Sequence, residues 1–233
     1  PYLDLPETTG LVLETVEDIT GTAEVAVKHG FQVNTHAIGD RANREVLDIY
    51  EGVWRELGVD GKDLRWRIEH AQHIHPDDIP RFGELGVIAS VQAVHGTSDG
   101  PWIPSRLGDE RAKDTSQPWR TLFETGAIIT NGTDVPVERI DPIASYYSSV
   151  TRRMNNGDAF YPEHIMTRQE ALETYTINGA YSAFEEDIKG SLTPGKYADF
   201  IVLSKNLLTV DYEEIPSAEV EMTFVGGELK YKK

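Results

Sequence analysis

A parallel α/β fold is predicted by three features of the sequence. Short strand-like stretches alternate with helical ones through the first two-thirds of the chain. Each helical stretch there stops at a glycine: Gly30, Gly58, Gly86 and Gly126. Near Gly190 the pattern changes to strands and a hairpin.

Taken in order, a helix is expected from about Glu17 to His29, then a strand over Phe31 to Ala37 (FQVNTHA). Asp40 follows as a candidate N-cap. Ala42, Val46, Ile49, Val53 and Leu57 then recur at spacings of three and four, which marks an amphipathic helix. Arg65 to Ala71 is a second strand. Pro76 opens a short helix carrying Ile79, Phe82 and Leu85, and Val87 to Ala93 is a third strand. Val94 to Gln117 reads as a long loop of the kind that usually carries function. A helix over Pro118 to Thr125 leads to a fourth strand, Ala127 to Thr133.

Four such units predict parallel strands joined by right-handed crossovers. Helices are then expected at Pro142 to Arg153 and Thr167 to Asn178, the second opened by the capping-box pair Thr167 and Glu170. Ala198 to Leu203 and Met222 to Tyr231 read as strands, with Gly226-Gly227 as a hairpin turn. Two domains are therefore expected, 1–188 and a small β segment at 189–233.

The chain has 233 residues and a net charge of −17, from 39 acidic and 22 basic side chains. Phosphate binding needs clustered Lys and Arg, so nucleic acid and anionic membrane surfaces are not expected partners. With no cysteine, disulfides, thiolate metal sites and cysteine nucleophiles are excluded. Pro1 to Gly10 lacks the basic start and apolar centre of a secretory leader, so a cytoplasmic location is expected. The chain also lacks an initiating methionine and reads as starting inside a longer protein.

Three residues carry the candidate chemistry. His36 ends the first strand, His70 ends the second, and Asp134 lies just past the fourth. Parallel strands present their C-terminal ends at one face, where sites form in α/β folds. Imidazole suits Zn²⁺, Fe²⁺, Mn²⁺ or Co²⁺, and a carboxylate can hold a metal while relaying a proton. Taken singly, each has a plainer reading: a hydrogen-bonding histidine, or an aspartate that forms a turn.

The stretches GFQVNTHAIGDRAN, RWRIEHAQHIHPDDIPRFGELGVIASVQAVHGTSD, ITNGTDVPVERIDP and YTINGAYSAFEEDIKGSLTPGKYADFIVLS resemble the amidohydrolase superfamily. In particular they resemble its amidohydrolase 3 branch, which includes N-substituted formamide deformylases. The resemblance runs in order from about Pro1 to Tyr231. It implies the C-terminal half of a (β/α)8 TIM-type barrel, strands five to eight, with part of a small β-sandwich. It further implies a divalent metal, zinc being the expected ion, with one or two ions in the intact protein. His36, His70 and Asp134 would be ligands, and Asp134 and His95 would serve catalysis. The implied reaction is hydrolysis of a non-peptide C–N bond, amide or cyclic amide, in a small molecule by a metal-activated hydroxide.

The superfamily's strand-one His-x-His pair and strand-four lysine or glutamate are absent from this sequence. A fragment is therefore expected, inactive alone, with its metal absent or partly bound. It would form a homo-oligomer or pair with a missing N-terminal half. The competing reading is a non-catalytic regulatory or binding protein on the same fold. Among secondary residues, His95 could polarise a carbonyl, and Gln92 reads as core or support. Asp40 and Arg41 read as a cap and an ion pair. Trp102 could line a pocket, and Arg111 could meet an anion. His73 and His75 read as opening a helix.

Overall fold

The computed structural model describes residues 1–233. The chain divides into two compact units, Pro1–Val91 with His95–Ile129, and Gln92–Val94 with Thr130–Lys233. No helix is long and apolar enough to cross a membrane.

In chain order the elements that build the first unit are α1 (Val16–His29), β1 (Asn34–Ala37), α2 (Asp40–Leu57), α3 (Gly61–Leu64), β2 (Arg67–His70), α4 (Ile79–Leu85) and β3 (Ile88–Val91). They are followed by α5 (Ala93–Ser98), α6 (Ile103–Leu107), α7 (Asp109–Thr115), α8 (Trp119–Glu124) and β4 (Ile129–Asn131). The sheet order is β1-β2-β3-β4. β1 pairs with β2, and β2 with β3, in parallel. Parallel neighbours need a crossover, and α2 and α4 supply it.

Successive residues of a strand face opposite sides of a sheet, and here the two sides differ in chemistry. Ala37, Ile68, Ala89 and Val91 are buried, whereas Asn34 and His36 are exposed. On the buried side, the Thr35 and Tyr50 hydroxyls lie 2.7 Å apart and the Tyr50 hydroxyl donates to the Arg67 carbonyl at 3.1 Å. These bonds seat α2 across the β1–β2 pair. Tyr50, Trp54 and Trp66 form a cluster, with ring centroids 4.9 Å apart for Tyr50–Trp66 and 5.4 Å for Trp54–Trp66. Further along, α4 and α8 meet at Gly83, where an added Cβ would stand 2.0 Å from the Thr125 carbonyl oxygen.

The sequence places most of these elements, but the strands are shorter than expected, α4 starts at Ile79 rather than Pro76, and three other features differ. The N-cap of α2 is Gly39, not Asp40; Asp40 is the first helical residue. The stretch after Gln92 is not an open loop but carries three short helices. Gly108, at φ 82°, separates α6 from α7. His73 and His75 precede α4 rather than open it, and His73 instead forms an isolated β-bridge with Ser116.

The second unit contains α9 (Pro142–Thr151), α10 (Arg168–Tyr175), α11 (Ile177–Ser182), and strands β5 (Phe200–Leu203), β6 (Val220–Val225) and β7 (Glu228–Lys232). The capping box at Thr167 and Glu170 is present. The helix expected from Thr167 to Asn178 is broken at Thr176, whose backbone (φ −120°, ψ −95°) cannot continue it. The three strands form an antiparallel sheet in the order β5-β6-β7. Gly226 and Gly227 both have positive φ, 59° and 79°, as a tight turn between twisted strands requires. Phe200 of β5 and Phe224 of β6 stack across the other strand pair, with ring centroids 4.4 Å apart.

Candidate metal centre

His36 and His70 meet. β1 and β2 run in parallel with Ala37 opposite His70, so both imidazoles emerge at the same end of the sheet. Their ring centroids lie 4.5 Å apart and the planes are inclined at 75°. His95 joins them: its ring lies 6.0 Å from that of His70, nearly parallel at 19°. His95 sits in α5, just beyond β3, rather than on the strand itself. Exposure falls across the three, from an exposed His36 through a half-buried His70 to a buried His95.

The backbone at the end of β2 is unusual. His70 has φ 77° and Ala71 has φ 42°, both in the left-handed region that L-residues avoid. Such a conformation costs about 1–2 kcal/mol per residue. Two consecutive non-glycine residues held there concentrate strain at the end of β2, as functional sites often do.

Asp134 lies in the second unit, three residues beyond β4, also with positive φ (55°). It is exposed. The end of β4 is anchored by Asn131. Its Oδ1 accepts from the Ala93 amide at 3.0 Å, and its Nδ2 donates to Ser149 Oγ at 3.0 Å.

The donor set fits a borderline divalent cation. Two imidazole nitrogens at ~2.0–2.1 Å from one tetrahedral ion would put the ring centroids roughly 5 Å apart. The 4.5 Å separation of His36 and His70 is close to that spacing.

Beside His36 lies a cavity of about 900 Å³ within the first unit, lined also by Asp40, His73, Trp102 and Arg111. Arg111 does not offer a free charge there. Its guanidinium forks onto Asp40, with Nη2 at 2.7 and 2.9 Å and Nε at 3.0 Å from the carboxylate oxygens. Its Nη1 donates to the Pro1 carbonyl at 2.8 Å. Trp102 is half exposed at the rim, and Gln92 is buried.

His73 illustrates the electrostatics of this wall. Burial, reinforced by Arg111 and opposed by Asp40, holds its imidazole down to about 4. The folded-state value lies below the unfolded one, so His73 is neutral in both states above about pH 6.5 and costs nothing there. Below that, the unfolded chain binds a proton that the folded chain refuses. Stability should therefore fall between about pH 6.5 and pH 4, by about 3 kcal/mol from this residue. Urea unfolding of wild type and His73→Gln at pH 7.5 and pH 4 tests this. The variant should lose less stability on acidification by about that amount.

An α/β chain with a parallel sheet, whose histidines gather at the C-terminal strand ends, has the layout of a metal-dependent hydrolase fold. A family model described as the amidohydrolase family (Amidohydro_3) matches residues 1–231. The chain belongs to the amidohydrolase family. It is 39% identical over 231 residues to Protein LONG AFTER FAR-RED 3 of Arabidopsis thaliana, covering 99% of this chain and 39% of that one. It is 27% identical over 208 residues to the N-substituted formamide deformylase of Arthrobacter pascens, covering 89% and 38%. The crystal structure of an uncharacterized metal-dependent hydrolase from Pyrococcus furiosus superposes with a TM-score of 0.77 at 33% identity, covering 90% of this chain and 41% of that one. The chain thus spans about two-fifths of the length of the curated relatives it matches.

Proposed function

We propose that the whole protein is a metal-dependent hydrolase that cleaves non-peptide C–N bonds in small amides or cyclic amides. In this reading, residues 1–188 supply strands five to eight of a (β/α)8 barrel, and 189–233 supply part of a β-sandwich. The observation that carries it is the approach of His36 and His70 at the ends of adjacent parallel strands, with His70 in a strained backbone.

His36, His70 and Asp134 would hold the ion, zinc being the first candidate. The assignment of Asp134 rests on strand order: β4 follows β3 in the sheet, and Asp134 follows β4. A divalent cation held by these residues would supply an acidified water as nucleophile near neutral pH. Asp134 takes the proton from the attacking water and returns it to the departing nitrogen. The His95 imidazole, beside His70, donates a hydrogen bond to the carbonyl oxygen as charge develops on it. The amide substrate class draws on the family and on the deformylase relative. Pairing of this half with an N-terminal half, or with a second copy, would complete the barrel.

Metal analysis of the purified whole protein tests this, together with turnover of N-substituted formamides before and after chelation. One or two equivalents of metal per chain, and turnover lost on chelation and regained on adding zinc, are expected. Metal at trace level, with turnover indifferent to chelator, would overturn the proposal.

A further inference from the structure

We infer that Asn43 is a positioning residue that sets the mutual approach of the His36 and His70 imidazoles. This rests on the metal-centre reading above for its functional meaning, but its geometry stands by itself. Asn43 is fully buried in the first turn of α2. Its side-chain Nδ2 lies within hydrogen-bond distance of four carbonyl oxygens: Gly39 at 2.9 Å, His73 at 3.1 Å, Ala37 at 3.2 Å and Ile38 at 3.4 Å.

Three of those carbonyls follow His36 directly, at the last residue of β1 and the two residues that leave it. The fourth belongs to the segment that leaves β2 after His70. One amide group therefore ties together the two exits that carry the imidazoles. The His73 amide donates to the Ile38 carbonyl at 2.8 Å, a second stitch between the same segments. The carbonyls at a strand end have lost their ladder partners, and a buried one needs a donor from elsewhere.

The other half of the same amide argues against a purely helical role. Asn43 Oδ1 is buried and has no hydrogen-bond partner. Rotating the amide by half a turn would set that oxygen against the four carbonyls, so the donor must point where it does. Asparagine is also a poor helix former, and it stands one turn before Val46 and Leu47 on the buried side of α2, where an apolar residue would pack without an orphaned acceptor. An unfavourable residue kept on this face is accounted for by its donor.

The test compares Asn43→Ala with Leu47→Ala, a truncation at another fully buried position of α2. In the metal-free whole protein, selectively labelled at histidine, a nuclear Overhauser cross-peak between the His36 and His70 rings is expected. It should drop at least about threefold in Asn43→Ala, which frees the two segments, and persist in Leu47→Ala. Cobalt(II) affinity, measured by chelator competition, should fall about tenfold in Asn43→Ala and stay unchanged in Leu47→Ala. Asn43→Ser, which restores one donor, should recover part of both signals, and it decides the matter should the alanine variant not fold.

A cross-peak and a cobalt(II) affinity unchanged in the Asn43 variants would overturn the inference. Failure of the wild type to bind cobalt(II) would instead remove the metal-centre reading, while the ring contact would still decide the role of Asn43.

Discussion

Replacing His70 with alanine is expected to weaken zinc or cobalt(II) binding by roughly 100- to 1000-fold. A structural site with about four ligands binds zinc with about 10–16 kcal/mol, or about 2.5–4 kcal/mol per ligand, and each 1.4 kcal/mol is tenfold. The backbone adds a second signature. His70 is held at φ 77°, so alanine keeps the strain whereas glycine relieves it. His70→Gly should lose metal as fully as His70→Ala, yet be more stable by about 1 kcal/mol. Chelator competition and urea unfolding on the same two variants read both effects. A variant pair with wild-type affinity would refute the ligand role.

The second large effect is expected at Trp66, remote from any chemistry. Trp66 is fully buried, directly before β2, and stacks edge-on against Tyr50 and Trp54. Its indole Nε1 donates to the Phe31 carbonyl at 3.3 Å, and its own carbonyl accepts from the Ile88 amide at 2.9 Å. The Trp66→Ala cavity should cost about 3–5 kcal/mol, with aromatic contacts adding about 1 kcal/mol. That is a large share of the ~5–15 kcal/mol by which domains are stable. Trp66→Phe, which keeps most of the volume, should cost less than half as much. Chemical denaturation of both variants checks the ordering. Equal midpoints for wild type and Trp66→Ala would mean that the cluster does not hold α2 to the sheet.

The sequence foretold those parts of the structure whose signal is periodic or punctuated. The three-and-four spacing of α2, the glycine stops and the Gly226-Gly227 hairpin are all found. Strand limits were less readable. Phe31 looks like strand, but its amide bonds back to the Ala26 carbonyl, so the chain is still leaving α1. The three helices after Gln92 are only five to seven residues long. Segments so short are marginal on their own and take their form from tertiary contacts. His36 and His70 could be found because each stands at the end of a short stretch in which apolar and polar residues alternate, as in a strand. The left-handed turn at His70 and Ala71 could not, since no glycine announces it. Asn43 carries one signal in the sequence, a polar side chain on the buried stripe of an otherwise well-patterned helix.

The meeting of α4 with α8 constrains how this chain can vary. With no room for even a methyl group between position 83 and the Thr125 carbonyl oxygen, drift at that site cannot proceed by single tolerated steps. Any descendant lacking glycine there must have shifted one helix off the other in the same lineage. Position 83 is therefore a marker of whether a distant family member still shares this local docking or has rebuilt it.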